Sequence, residues 1–156
     1  MKELVELLIE KNLTIATMES CTGGGVANAI TSIEGASEIL RFSAVTYSNE
    51  YKIKMGVDPE LIDKYSVYSL EVAKDMALKI SKFANSKIGV GVTGKLNRYD
   101  KNNLQGLDNE VFVSIYYNDN YYNLDLMVDR PTRDDNKLYV IDEIVKKLKE
   151  VINENN

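Results

Sequence analysis

Thr14-Ile15-Ala16-Thr17-Met18-Glu19-Ser20-Cys21-Thr22-Gly23-Gly24-Gly25 is the stretch that decides the fold. Residues 14–18 are apolar or β-branched and predict a strand. Residues 23–32 predict a helix that starts inside the run of glycines. A strand that passes through a glycine-rich turn into a helix is the opening of a strand-helix-strand unit. Such a turn lets backbone approach a ligand closely. The helix N-terminus behind it offers free N–H groups and the positive end of a dipole. The turn therefore suits a bound anion, or an oxyanion formed beside a nucleophile such as Ser20. The plainer reading is helix capping by Ser20 or Thr22 with tight packing at Gly24. The turn is not a P-loop, because no Gly-Lys-Ser/Thr ending follows.

Working outward, Leu4, Val5, Leu8 and Ile9 share one helical face and predict a helix over 2–11. Residues 41–47 alternate and predict a second strand. A short helix or turn follows from Asn49, and Asp58-Pro59-Glu60 opens another, with Asp as cap and Pro at the first helical position. Ser69 caps a longer helix whose inner stripe is expected to be Val72, Met76, Ile80 and Phe83. Residues 87–93 predict a buried strand, and a polar loop covers 94–109. Residues 111–117 and 121–128 predict a hairpin across Asn118-Asp119-Asn120. A last helix is expected over 134–152, with Leu138, Ile141, Val145, Leu148 and Ile152 inward. Strand-helix-strand crossovers imply parallel strands and the hairpin adds antiparallel ones. The expected fold is a three-layer α/β/α sandwich with a mixed parallel/antiparallel sheet, in one domain over 1–156.

The chain has 156 residues, enough to bury a core without staples, and is 44% hydrophobic and 28% charged, as globular domains are. Its net charge of -5 argues against nucleic acid or an anionic membrane as partner. No apolar run approaches the roughly 20 residues that span a bilayer. The N-terminus lacks a signal-peptide pattern. A single cysteine, Cys21, forms no internal disulfide, so a reducing cytoplasm is the expected location. The count of 0 histidines excludes Ser-His-Asp and Cys-His catalysis, and with one cysteine it excludes a Cys/His zinc site within the chain. Proton transfer must then use Lys, Tyr, Asp, Glu or a terminus.

Val45-Thr46-Tyr47-Ser48-Asn49-Glu50-Tyr51-Lys52 ends a strand in a polar cluster. Sites in α/β sheets lie at strand C-terminal ends, so Tyr47 and Lys52 are candidates to meet Ser20. A lysine base must lose about 3 pKa units to act near neutrality, which burial or a nearby cation supplies. The plainer reading is a solvated lysine. Cys21 competes as nucleophile at a helix N-terminus, though a small buried residue is the simpler account. Arg130 and Arg133 flank Pro131 and are suited either to a phosphate or to surface salt bridges.

These residues also carry a resemblance. Thr17-Met18-Glu19-Ser20-Cys21-Thr22-Gly23-Gly24, then Val45-Thr46-Tyr47-Ser48-Asn49-Glu50 and Lys52, resemble the C-terminal domain of the competence/damage-inducible protein CinA. The likeness continues through Met55-Gly56-Val57, Ser69-Leu70-Glu71-Val72-Ala73, Val92-Thr93-Gly94 and Asp129-Arg130. Stand-alone versions are nicotinamide mononucleotide deamidases. The resemblance implies an α/β/α sandwich, a homodimer, and hydrolysis of a small nucleotide's nicotinamide amide, with neither metal nor cofactor. It implies Ser20, Tyr47 and Lys52 as catalytic residues, and substrate contacts from Cys21, Thr22, Gly23, Gly24, Thr46, Asn49, Thr93, Gly94 and Arg130. One stretch departs. Where the family continues Val-Thr-Gly with Ile-Ala-Gly-Pro, this chain has Lys95-Leu96-Asn97-Arg98-Tyr99-Asp100. The family's Pro-Val-Gly-Thr is replaced by Leu107-Asp108-Asn109-Glu110, and the spacing from Lys52 to Gly56 is one residue short. The loop brings the cations Lys95, Arg98 and Lys101 and the bulk of Leu96 and Tyr99. Either the cations hold an anionic ligand, or the bulk closes the pocket and leaves a catalytically inactive binding module.

Overall fold

A computed structural model of the chain describes residues 1–97 and 100–156. Its centre is a five-stranded sheet with strands β1 (Ile15–Glu19), β2 (Leu40–Val45), β3 (Ile88–Gly94), β4 (Glu110–Tyr117) and β5 (Asn120–Met127). The spatial order is β2-β1-β3-β4-β5. β1 runs parallel to both β2 and β3, while β3-β4 and β4-β5 are antiparallel. The mixed sheet expected from the crossovers and the hairpin is the one observed.

Six α-helices accompany it among the described residues: α1 (Lys2–Glu10), α2 (Gly25–Thr31), α3 (Asn49–Lys54), α4 (Pro59–Tyr65), α5 (Leu70–Ala84) and α6 (Arg133–Glu154). Two apolar clusters separate by strand alternation. Ile15, Ile88, Val90 and Val92 join α1, α2 and α6 on one side of the sheet, through Leu4, Leu8, Val26, Ile30, Ile144 and Leu148. Ala16 and Met18 meet α5 on the other, through Val72, Met76 and Ile80. Helices therefore cover both faces, as the period-2 strands require.

On the α5 side β3 carries glycine at alternate positions. A Cβ at Gly91 would overlap the Ala73 carbonyl oxygen, and one at Gly89 would overlap that of Ala77. Helix α5 thus rests directly on the backbone of the central strand, with alanines on its own inner face.

Three expectations are corrected. Phe83 is 64% exposed and packs its ring against Phe42, with centroids 5.1 Å apart, instead of entering the core. It is the penultimate residue of α5 and sits at the sheet's edge, against strand β2. Leu138 is 60% exposed, and Asn136 and Val140 are buried in its place. Helix α6 begins at Arg133, capped by Thr132, and is rotated so that Asn136 accepts a hydrogen bond from the Arg130 N–H at 2.9 Å. The hairpin turn is two residues, not three. Asn118 and Asp119 both take positive φ, at 51° and 60°, and Asn120 already pairs with Tyr117. That is the turn geometry whose twist suits a two-residue hairpin.

The chain goes from β1 to β2 on one side of β1, then crosses to β3 on the other. The strand order reverses there, and the crevice beyond the C-terminal ends of β1 and β3 is where α/β sheets place ligands.

The close seating of α5 has a direct consequence. Gly91→Ala should lower unfolding free energy by about 3 kcal/mol, the upper part of the usual overpacking range. Urea denaturation measures it, and a loss below about 1 kcal/mol would mean that α5 can move off the sheet at little cost.

Candidate active site

Glu19 is the last residue of β1 and its side chain is fully buried. Its carboxylate accepts four hydrogen bonds: from Thr17 Oγ1 at 3.0 Å, Thr22 Oγ1 at 2.6 Å, the Val26 N–H at 2.9 Å and the Ala27 N–H at 3.0 Å. The residue at the N-cap of α2 is Gly24, with φ 90° and no side chain to cap anything. Glu19, five residues upstream of Gly24, supplies the missing cap. A carboxylate at a helix N-terminus is favoured by the dipole as well as by the hydrogen bonds. The turn between, residues 20–24, is closed by the Gly23 N–H to the Ser20 carbonyl at 2.9 Å and the Gly25 N–H to the Thr22 carbonyl at 3.0 Å.

Ser20 is set at the base of a cleft by this arrangement. Its N–H donates to the Val92 carbonyl at 3.0 Å, which ties the turn to β3. Lys52 comes from α3, whose cap Ser48 accepts from the Tyr51 N–H. The Lys52 side chain runs inward, and the residue is 2% exposed. Its Nζ lies 3.1 Å from Ser20 Oγ and 2.8 Å from the Thr46 carbonyl oxygen. Burial strips water from the ammonium and pulls its pKa down to about 8, against an opposing pull from Cys21 and Asp100. A lysine poised this close to neutrality and touching a serine hydroxyl can take its proton.

Cys21 is buried, and burial pushes its thiol up to about 12. A thiol so seldom ionised is a poor nucleophile.

The cleft has a volume of about 820 Å³. Ser20, Cys21, Tyr47, Asn49 and Gly94 line it, and Arg133 lines it from the start of α6. Tyr47 is 65% exposed and makes no hydrogen bond to Ser20 or Lys52. Asn49 donates to Asn103 Oδ1 at 3.0 Å. The other expected contact residues lie behind the cleft wall. Thr22 is engaged with Glu19, Gly23 and Gly24 shape the turn, and Thr93 donates to the Val67 carbonyl at 2.7 Å. Thr46 offers Lys52 its carbonyl while its own hydroxyl is buried without a partner among the described residues. Arg130 does not line the cleft. It pairs with Asp129 and stacks on the Tyr139 ring, 4.5 Å from the centroid.

The departing loop forms the opposite wall. Leu96 is buried in the core, and Lys95, Asp100, Lys101, Asn102 and Asn103 line the cleft. Tyr68 donates to Asp100 Oδ2, and the Asn102 N–H and Asn103 side chain also bond that carboxylate. Burial pushes the Asp100 carboxyl up, but these hydrogen bonds outweigh it and hold it below its ordinary value. Burial and the bond to Asp100 push the Tyr68 phenol up. Arg98 and Tyr99 lie outside the described residues. Ser20 lines the cleft together with the described part of the loop.

Two residues were not expected. Glu19 entered only as a letter within the quoted motifs, although a cap-less Gly24 ahead of a helix signals that some carboxylate must serve the free N–H groups. Tyr68 had no local signal, since its place depends on the crossover between α4 and α5.

A family model described as the CinA C-terminal domain matches residues 1–148. A competence-damage inducible protein of Alkaliphilus oremlandii is 47% identical over 96 residues, 60% of this chain and 23% of its own length. A CinA-like protein of Flavobacterium psychrophilum is 41% identical over 115 residues, 72% of this chain and 27% of its own. The chain thus spans about a quarter of the length of the curated relatives it matches. Among solved structures, a CinA superfamily protein of Klebsiella pneumoniae superposes with a TM-score of 0.91 at 18% identity, over 98% of this chain and 95% of that one. The competence/damage-inducible protein CihA of Agrobacterium tumefaciens gives 0.81 at 26% identity, over 99% and 95%.

If the Glu19 carboxylate organises the turn, Glu19→Ala should cost about 3–5 kcal/mol of stability, since it strands several buried donors at once. Urea denaturation reads the loss. A cost near 1 kcal/mol would show that the glycine turn holds its own shape.

Proposed function

We propose that this chain, which belongs to the CinA C-terminal domain family, hydrolyses the carboxamide of nicotinamide mononucleotide to nicotinic acid mononucleotide and ammonia. The observation that carries this reading is the 3.1 Å contact between the buried Lys52 Nζ and Ser20 Oγ. The resemblance of the motifs around both residues to the mononucleotide deamidases gives the substrate.

In this reading neutral Lys52 removes the Ser20 proton as Oγ attacks the carboxamide carbon. The carbonyl electrons move to oxygen, and the oxyanion forms beside the Ser20-Cys21 turn, where backbone N–H groups are the available donors. The Lys52 ammonium then gives its proton to the departing nitrogen, and ammonia leaves. An acyl ester on Ser20 remains. Lys52, neutral again, deprotonates a water that attacks the ester, and the carboxylate product leaves as Ser20 recovers its proton. One group serves as base and acid in turn, which a pKa near the working pH allows. The Thr46 carbonyl fixes the Nζ position through both halves. Tyr47, at the cleft rim, is assigned to substrate positioning. The cleft volume lies in the range of small-molecule sites, which favours a working site over an idle one.

Three measurements test the proposal. Ser20→Ala should abolish ammonia release from the mononucleotide while losing little stability, and near-native turnover would transfer the role elsewhere. Because the reaction needs uncharged Lys52, kcat/KM should rise with pH and level off above about 8, the value to which burial lowers that lysine. Lys52→Arg should remain inactive, since a guanidinium stays protonated. A pH profile flat from 6 to 9 would remove Lys52 from the base role.

A further inference from the structure

Lys95 is a buried cation that the mechanism above does not use. It follows Gly94 at the end of β3, one strand over from Ser20, and lines the same cleft. Its side chain is 3% exposed. An ammonium can donate three hydrogen bonds, and burying it without them costs free energy. Yet no acceptor of the described residues is within hydrogen-bond reach of its Nζ. The Tyr68 ring lies 4.8 Å away at its centroid, which attracts the charge but accepts no ordinary hydrogen bond. Asp108 Oδ1 is 3.6 Å away on a side chain that is 54% exposed, a loose pairing in contact with water. Asp100 is also within electrostatic reach, but its two oxygens are taken by Tyr68, Asn102 and Asn103.

The surroundings suit an anion. The described cleft lining carries Lys95, Lys101 and Arg133 against the carboxylates of Glu50 and Asp100. This is a cationic balance in a chain of net charge -5. The lysine also stands where the family pattern has an uncharged residue, so the charge belongs to this chain's loop.

We propose that Lys95 holds the phosphate monoester of the substrate, replacing Asp108 as the partner of the ammonium. The proposal rests on the mononucleotide reading above. The phosphate oxygens would supply the acceptors that Lys95 lacks, and a charge-assisted bond of this kind is among the stronger ones. Lys95 is then a specificity residue that favours nucleotides over the corresponding nucleosides, while Ser20 and Lys52 treat the amide alike in both.

The test compares two ligands that differ only in the phosphate, nicotinamide mononucleotide and nicotinamide riboside. Calorimetric titration into Ser20→Ala protein avoids turnover. The mononucleotide should bind more tightly, and adding Lys95→Met should weaken it about tenfold to a hundredfold while leaving the riboside unchanged. Lys95→Arg, which keeps a cation, should retain most of the preference. Equal weakening of both ligands would make Lys95 a structural cation and overturn the proposal. An unchanged preference in Lys95→Met would overturn it too, while leaving the deamidase reading in place. Failure of the mononucleotide to bind Ser20→Ala protein would overturn the deamidase reading and this one with it. The melting temperature of ligand-free Lys95→Met separates the roles further. It should hold or rise, because the substitution removes a desolvated charge with no hydrogen bond, and a fall of many degrees would again mark a structural cation.

Discussion

The Glu19 carboxylate is buried at the point where β1, the glycine turn and α2 meet, and four donors converge on it. A buried carboxylate is costly unless its oxygens are filled, and here the filling groups are the ones that would otherwise be stranded. Two are N–H groups of the first turn of α2, which Gly24 cannot cap. One is the Thr22 hydroxyl inside the turn, and one is the Thr17 hydroxyl on β1. Strand, turn and helix are therefore satisfied together or not at all. The direction of Ser20 follows, because it is fixed between Glu19 and the closed turn while its own N–H is held by Val92.

Lys52 is the counterpart, buried beside Ser20. The residue is 2% exposed and its charge is disfavoured there. A solvated lysine on the surface of α3 would serve the fold better. Placing it inside lowers its pKa into a useful range and puts its Nζ on Ser20 Oγ, with the Thr46 carbonyl as the second anchor. The sign of the resulting pH dependence is definite. The folded pKa lies below the ordinary lysine value, so the stability lost to burying the ammonium is in full force below about pH 8. It is recovered as pH climbs from there towards 10.5, the range in which the unfolded chain binds the proton and the folded one does not. The thermodynamic cost is thus concentrated at the Ser20-Lys52 contact.

Much of this was legible in the residues. The strand-turn-helix at 14–32 and the paired motifs around Ser20 and Lys52 are local patterns. They place both side chains at the C-terminal ends of parallel strands, and the mixed sheet follows from the order of elements. What was not legible depended on how far a neighbour extends. Phe83 continues the stripe of Val72, Met76 and Ile80, but it meets only the exposed Phe42 of the edge strand β2, so periodicity overstated the buried face. Leu138 failed for a similar reason, since the hydrogen bond between Asn136 and the Arg130 N–H rotates the start of α6. The turn at Asn118-Asp119 was read one residue long because Asn120 looks like a turn residue, yet it already pairs with Tyr117. Among the expected site residues, Thr22 and Thr93 are motif positions whose hydroxyls point into the framework, and motif spacing does not distinguish a wall from what holds the wall up. Arg133 and Arg130 sit three apart, and only the first faces the cleft.

The two-residue turn between β4 and β5 bears on how the molecule comes into being. A hairpin closed by Asn118 and Asp119 brings neighbours in sequence together and forms on a microsecond scale. The pairing of β1 with β3 joins segments more than 60 residues apart and must wait for the intervening helices. Contacts between distant segments set the pace of folding. Ser20 meets Lys52 across 32 residues, and its N–H meets Val92 across more than twice that span. The hairpin is therefore the more local contact, and the Ser20-Lys52 pair depends on more distant ones. A chain arrested partway would carry a formed hairpin and an ordinary, solvated lysine. The Ser20-Lys52 contact would then form together with completion of the parallel half.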